Sequence, residues 1–224
     1  MQPGCLHNSR MLIPGMGMPL RKQLMLMGAA LLILLAGLPV AYQVWSARDA
    51  GPDSLSSEAV AALAALQAHS GAVDLQDWRG QRWALVFFGF THCADICPAT
   101  LSRISRLLEQ QDGHADQLQP IFITLDPERD TPEHLAEYLG FFDPRILGLT
   151  GSSQQIQQLA AEWGVYWRRV PVNGGYLLDH ATSLFLLNPQ GELVQRFSGQ
   201  LEEDDLTEQI SGLLAARASS PEPW

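Results

Sequence analysis

The stretch RWALVFFGFTHCADICPATLSRISRLLEQ, residues 82–110, predicts the centre of the fold. After Arg82 its first residues form a continuous apolar and aromatic run, which is typical of a strand covered on both faces. Pro98 suits the first turn of a helix, because the backbone N–H that proline lacks has no partner there. Leucine and isoleucine then recur at helical spacing. The stretch therefore predicts a buried strand, a loop carrying Cys93 and Cys97, and a helix.

The following residues alternate between strand and helix patterns. Apolar runs bounded by turn residues predict the strands, and capping residues followed by periodic apolar positions predict the helices. The predicted elements are a strand at 118–125, a helix opened by Thr131 and Pro132, a strand at 146–150, a helix from Ser152 or Ser153 to Gly164, two strands within 183–199 and a helix at 202–216. The segment before Trp78 is open between a helix and an irregular hairpin that turns at Ser70.

This order of elements predicts an α/β fold, with a mixed sheet and helices on both of its faces. The first long buried strand ends just before the cysteine pair, and a helix begins beside it. That arrangement fits a thioredoxin-like layout.

Residues 23–47 contain no charged side chain, which predicts one N-terminal transmembrane helix, since about 20 helical residues cross a bilayer core. Arg21 and Lys22 precede this segment, and Asp49 follows it. The positive-inside tendency then places the N-terminus in the cytoplasm and the body on the periplasmic side of the inner membrane. A cleaved signal peptide is the alternative, but the apolar region is longer than such peptides usually have.

The cysteine pair indicates thiol chemistry or metal binding. A purely structural disulfide between Cys93 and Cys97 would close a very short loop, which stabilises by only about 2 kcal/mol. Helix amides that begin after Cys97 stabilise a nearby thiolate. Two thiolates suit Cu(I) better than hard cations, and a structural zinc site usually takes four ligands.

A third copper ligand from the body is expected to be histidine, because all six methionines lie in the leading 27 residues. His180 is favoured, since it precedes an apolar strand that should enter the sheet beside the cysteines. His92 is expected to point away from its neighbour Cys93. The remaining histidines look like surface positions: His69, His114 and His134.

Three motifs in this order and spacing closely resemble the Sco (SenC) family of membrane-anchored copper-delivery proteins: FFGFTHCADICP, ITLDPERDTPEHL and DHATSLFLLNPQGELVQRFSG. The resemblance covers roughly residues 71–214. It implies a thioredoxin-like fold and one copper ion, Cu(I) or Cu(II), bound by Cys93, Cys97 and His180. Position 94 is Ala where the family usually has Pro, and the sequence before Gln76 departs from the family pattern.

The DPERDTP motif is expected to support the cysteine loop. Asp126 would hydrogen-bond near the site. Arg129 would pair with Asp130 or with another acidic residue.

The resemblance implies a copper chaperone for the binuclear copper centre of cytochrome c oxidase, and thus a carrier rather than an enzyme. Its expected partners are the copper-receiving oxidase subunit and another copper carrier or a thiol reductase. The alternative is a membrane-anchored thiol-disulfide reductase in which Cys93 attacks and Cys97 resolves. Three residues separate these cysteines where ordinary redox members of the fold have two, which disfavours that alternative. A peroxidase is the third reading, and the residues around the cysteines do not match one.

The 224 residues divide, on this interpretation, into segments of different character. They are a cytoplasmic segment at 1–22, the anchor at 23–47, a linker or irregular lead-in at 48–70, the thioredoxin-like copper-binding domain at 71–217 and a tail at 218–224. Residues 49–224 hold 10 basic and 24 acidic side chains, a net charge of −14. Nucleic acid is excluded as a partner, because its phosphates would repel so acidic a body.

Overall fold

A computed structural model describes residues 54–70, 80–110 and 115–218. The expected cytoplasmic segment at 1–22 and the expected anchor at 23–47 lie outside these residues. Within the three described ranges, no helix combines the length and apolar character needed to cross a membrane.

The described residues form five α-helices and eight strands. A 3-10 turn at Ala62–Ala65 follows the first helix, and another at Ala115–Gln117 precedes the third strand. In chain order the elements are α1 (Ser57–Ala61), β1 (Gln67–Ala68), β2 (Trp83–Gly89), α2 (Ile96–Gln110), β3 (Leu118–Thr124), α3 (Pro132–Leu139), β4 (Leu147–Thr150), α4 (Ser153–Glu162), β5 (Trp167–Val172), β6 (Gly175–His180), β7 (Leu184–Leu187), β8 (Leu193–Phe197) and α5 (Glu203–Ala218).

Six strands form one mixed sheet in the order β1-β4-β3-β2-β7-β8. β2 lies at its centre and runs parallel to β3 from Trp83 opposite Leu118 to Gly89 opposite Thr124. β3 and β4 are also parallel, whereas the other pairs in this sheet are antiparallel. β5 and β6 form a separate two-stranded hairpin, hereafter the β5–β6 hairpin. The mixed α/β sheet predicted from the sequence is therefore confirmed.

Helices cover both faces of the sheet, as neighbouring residues of β2 show. The ring of Phe88 contacts Trp163 at the end of α4, with centroids 5.5 Å apart. Gly89 faces the opposite side, because side chains alternate along a strand. There its Cα lies close to the Sγ of Cys97 in α2. α2 and α4 thus pack on opposite faces, and β2 is fully buried between them.

Most predicted boundaries hold to within two residues, and the capping residues explain why. Thr131 accepts a hydrogen bond from the His134 backbone N–H, and Ser152 forms a reciprocal capping box with Gln155. Gly164 has a φ of 63°, which glycine adopts without strain where α4 ends. The segment for which the sequence leaves both a helix and a hairpin open begins as helix α1 at Ser57. The hairpin alternative depends on residues 71–79, which lie outside the described ranges.

Two features differ from the sequence-based expectation. Helix α2 begins at Ile96, so Cys97 lies within its first turn. The β5–β6 hairpin was not predicted, because its residues do not alternate between buried and exposed and β5 contains Pro171. Asn173 and Gly174 are a strong hairpin-turn signal that could have revealed it.

Gly89→Ala is expected to destabilise the fold by roughly 1–3 kcal/mol, a typical cost of overpacking a core. An added Cβ would lie 2.8 Å from Cε2 of Phe122 and 3.0 Å from Sγ of Cys97. Chemical denaturation followed by tryptophan fluorescence measures the change. Gly212→Ala is the matched control, since a Cβ there meets nothing within 4 Å. A Gly89→Ala protein as stable as the parent would refute this close packing.

Candidate metal centre

The two cysteines lie at the point where β2 passes into α2. Cys93 is half-buried in the cysteine loop, residues 90–95, where its backbone N–H donates to the Phe90 carbonyl at 3.3 Å. Cys97 is fully buried in the first turn of α2. Both are free thiols, and the Cys97 backbone N–H donates to the Cys93 sulfur at 3.4 Å. One thiol is thus accessible while the other is enclosed.

His180 reaches the cysteines from a part of the chain more than 80 residues away. It is the last residue of β6, and its Nε2 lies 3.7 Å from Sγ of Cys97. Phe90 packs edge-on against its ring, with centroids 5.8 Å apart. The structure therefore brings Cys93, Cys97 and His180 together, as the sequence predicts.

The hydrogen bond on the far side of the ring sets the tautomer of His180. Its Nδ1 lies 2.9 Å from the carbonyl oxygen of Ala181, which can only accept. The neutral ring therefore carries its proton on Nδ1, and the lone pair of Nε2 faces the sulfurs. Metal-binding histidines are commonly oriented in this way by a backbone carbonyl.

The two thiols share one negative charge unequally. A hydrogen bond from the Cys97 side chain lowers the pKa of Cys93, and hydrogen bonds from the backbone of Cys97 and Asp95 act in the same direction. Burial opposes these effects. The pKa of Cys97 is raised, first because it donates to Cys93 and second because it is buried. Cys93 is therefore the thiolate of the reduced pair.

A buried ion pair joins the β3–α3 loop to the β5–β6 hairpin. Asp126 is fully buried and accepts from Nε of Arg129 at 2.5 Å. Its other oxygen accepts from the Tyr176 hydroxyl at 2.7 Å. The Arg129 guanidinium lies 3.9 Å from the Tyr176 ring centroid and donates to the Tyr176 carbonyl. Because Tyr176 and His180 belong to the same strand, this contact fixes the strand that presents the imidazole.

A second ion pair supports the same connection. Arg169 of β5 contacts Glu128 at 2.6 Å, and its guanidinium lies over the Tyr176 ring, 4.6 Å from the ring centroid. Exposed pairs of this kind contribute little by themselves, so the buried Asp126 pair carries most of the restraint.

The DPERDTP motif supports the cysteine loop through Asp130 rather than Asp126. Arg129 pairs with Asp126 and not with Asp130, so of the two pairings offered by the sequence the one with another acid is correct. Asp130 accepts from the backbone N–H and the hydroxyl of Thr91, at 3.0 and 2.6 Å. Asp126 hydrogen-bonds to the hairpin, and none of its contacts described above involves a cysteine.

The other described histidines are hydrogen-bonded to groups other than the cysteine sulfurs. His69 is hydrogen-bonded to the Gly148 backbone N–H at 2.9 Å, so it belongs to the sheet edge. His92 contacts Thr91 and Asp130 through its Nδ1. His134, like His69, is half-buried, and it contacts Thr91, so neither is the plain surface position that was expected. His114 lies outside the described residues.

A family model described as SCO1/SenC matches residues 56–215. The chain belongs to the SCO1/SenC family. It is 39% identical over 153 residues to the bovine mitochondrial protein named SCO2 homolog, a match that covers 66% of this chain and 57% of that relative. The match thus leaves more than two-fifths of the relative uncovered.

Two solved structures support the same membership. Arabidopsis thaliana ScoI with copper bound has a TM-score of 0.62 and 30% identity, and covers 67% of this chain and 95% of that one. Bradyrhizobium japonicum ScoI with copper bound has a TM-score of 0.59 and 35% identity, and the match covers 66% of this chain and 94% of that chain. This SCO1/SenC chain therefore has the thioredoxin-like Sco fold that its sequence predicts.

Cys93 of the reduced protein is expected to react with iodoacetamide well below the pH at which ordinary thiols do. Its lowered pKa keeps the thiolate present as pH falls, until the pH passes below that pKa. Cys97→Ala removes the thiol donor and should return the pH dependence of alkylation toward that of a free cysteine. Thiolate absorbance near 240 nm gives an independent readout. An ordinary thiol titration of Cys93 in the parent protein would contradict the unequal sharing of charge.

Proposed function

We propose that this chain is a copper carrier that binds one copper ion through Cys93, Cys97 and His180. It would deliver the ion during assembly of the binuclear copper centre of cytochrome c oxidase. The observation that carries the proposal is the approach of His180 Nε2 to 3.7 Å from Cys97 Sγ. Membership of the SCO1/SenC family and the copper-bound relatives support it.

The donor set suits copper in both common oxidation states. Two sulfurs and one imidazole nitrogen offer Cu(I) a three-coordinate site of soft and borderline donors. Cu(II) would use the same residues with an added oxygen donor. Oxidation of the pair to a disulfide removes both thiolates and therefore releases the metal, so copper occupancy depends on the redox state of the cysteines.

The pair is also arranged for ligand exchange with a client protein. Cys93 is half-buried and carries the thiolate, whereas Cys97 is enclosed. A client thiolate can approach copper from the Cys93 side while Cys97 and His180 still hold it. Stepwise replacement of this kind needs no turnover of a substrate. The client is proposed to be the copper-receiving subunit of the oxidase, and a second copper carrier or thiol reductase would load or reduce the site.

The setting proposed for this transfer is the periplasmic side of the inner membrane. Residues 23–47 would form an uncleaved anchor, with residues 1–22 in the cytoplasm and the copper-binding domain, residues 71–217, outside it. The basis is the uncharged apolar segment with Arg21 and Lys22 before it. Such an anchor would keep the carrier beside a client that is itself a membrane protein.

Copper titration tests the ligand set. The reduced full chain in detergent, with Cys5→Ser to remove the third thiol, is expected to bind one Cu(I) in competition with a chromogenic chelator. His180→Ala should weaken binding by at least about tenfold, since it removes one of three donors. His69→Ala is the matched control and should bind as the parent does, because His69 is hydrogen-bonded to Gly148 at the sheet edge. Undiminished copper binding by His180→Ala would remove His180 from the site.

A thiol-disulfide reductase that keeps the client's cysteines reduced is the second candidate. The accessible, low-pKa thiol of Cys93 beside the enclosed Cys97 favours it. Cys93 would attack a client disulfide, and Cys97 would then displace the client thiol, leaving a Cys93–Cys97 disulfide and a reduced client. A thiol reductant would have to regenerate the pair. The same His180→Ala protein separates the roles, because loss of copper binding with unchanged disulfide reduction assigns His180 to the metal.

The proposed orientation predicts where a C-terminal reporter works. Alkaline phosphatase fused after Trp224 should be active in cells, because it needs an oxidising compartment. A β-galactosidase fusion at the same position is the matched control and should be inactive. The opposite pattern would contradict the orientation.

A further inference from the structure

Beside the cysteine loop, three potential metal ligands that the copper site does not use face one another. They are His92, Asp130 and His134, whose donor atoms all lie within 4.8 Å of one another. His92 Nδ1 is 3.7 Å from Oδ1 of Asp130, and the two imidazole rings have centroids 5.6 Å apart. They come from the cysteine loop, the β3–α3 loop and the first turn of α3. Such a convergence of two imidazoles and one carboxylate is a common arrangement for divalent transition metals.

The carboxylate of Asp130 is held with one oxygen directed into this cluster. Oδ2 accepts from the Thr91 backbone N–H at 3.0 Å and from the Thr124 hydroxyl at 2.6 Å. Oδ1 accepts from the Thr91 hydroxyl and retains a lone pair on the side of His92. Hydrogen bonds that orient a ligating carboxylate in this way are typical of metal sites.

A bound cation would also compensate the burial of this carboxylate. Asp130 is fully buried, and no Lys or Arg within the described ranges forms a salt bridge with it. Buried charges in proteins are normally paired or bound to a metal. The basic groups closest to it in these contacts are the two imidazoles, which are neutral when they act as metal ligands.

The hydroxyl of Thr91 lies among the three side chains and donates to Asp130 Oδ1, so the two imidazole nitrogens beside it carry N–H groups in this arrangement and must turn their lone pairs inward when an ion binds. It lies 3.0 Å from His92 Nδ1, 3.0 Å from His134 Nε2 and 2.6 Å from Asp130 Oδ1. Tetrahedral bonds of about 2.0–2.1 Å would place donor atoms roughly 3.3 Å apart. Both imidazoles must therefore move toward the other donor atoms by about an ångström. The exposure of the His92 side chain, 45%, leaves room for that rotation.

We propose that His92, Asp130 and His134 form a second metal site, which binds a divalent borderline ion such as Cu²⁺ or Zn²⁺. Nitrogen and oxygen donors without a thiolate select divalent ions over Cu(I), so the two sites differ in chemistry. Because His92 directly precedes Cys93, an ion held there fixes the loop that carries the accessible thiolate. The inference does not depend on the proposed copper-delivery function.

The test removes the first site and asks what still binds. The parent is the full chain in detergent with Cys5, Cys93 and Cys97 changed to Ser and with His180→Ala. It is titrated with Cu²⁺ and followed by electron paramagnetic resonance, which reports imidazole nitrogens by their hyperfine pattern. His134→Gln and His92→Gln are made separately in this parent, and His69→Gln is the matched control, since His69 is hydrogen-bonded to Gly148 at the sheet edge. Circular dichroism checks that each variant is folded.

One tight Cu²⁺ per chain with an imidazole signature is expected. Either His134→Gln or His92→Gln should weaken it by at least about tenfold, while His69→Gln should not. Equal affinities for the parent and both variants would overturn the proposal and leave the cluster as a hydrogen-bonded hub around Thr91. Loss of binding in only one variant, with an unchanged spectrum in the other, would likewise overturn the three-residue site.

Discussion

The contact between the β5–β6 hairpin and the β3–α3 loop is the constraint on which the candidate centre depends. His180 belongs to a two-stranded hairpin outside the main sheet, and isolated hairpins are marginal in water. The buried pair of Asp126 and Arg129, with Tyr176 held by both, provides the restraint. Removing Arg129 would leave the Asp126 carboxylate buried and uncompensated, a change that typically costs about 3–5 kcal/mol in buried pairs. The position of the imidazole thus depends on residues that do not touch the sulfurs.

The main sheet restrains the other half of the centre. β2 is buried along its whole length, and the absence of a side chain at Gly89 lets α2 bring the sulfur of Cys97 against the strand. Cys97 is consequently enclosed, while Cys93 lies on a loop anchored through Thr91 to Asp130. In the proposed function, an enclosed thiol, an accessible thiolate and an oriented imidazole would together hold a soft ion and still exchange ligands.

Much of this organisation could be predicted from the sequence, because its signals are local. The apolar run of β2, the capping residues Thr131 and Ser152, and the order of the three family motifs led to the fold and to Cys93, Cys97 and His180. The β5–β6 hairpin escaped prediction because its strands are largely exposed and lack alternation, so only the Asn173–Gly174 turn marked it.

The cluster of His92, Asp130 and His134 escaped for a different reason. Each residue looks ordinary in its own segment, and 37 residues separate His92 from Asp130 in the sequence. Only the parallel pairing of β2 with β3 brings the ends of these strands, and the loops after them, together. The partner of Arg129 was open for the same reason, since sequence spacing alone does not distinguish Asp126 from Asp130.

X-ray absorption spectroscopy at the copper edge tests the central claim most directly, because it counts the donors around the metal. The reduced chain loaded with one Cu(I) is expected to show two sulfur neighbours and one imidazole nitrogen. The imidazole contribution should disappear in His180→Ala. A spectrum with two sulfur neighbours and no imidazole in the parent protein would contradict the convergence of Cys93, Cys97 and His180 on one ion.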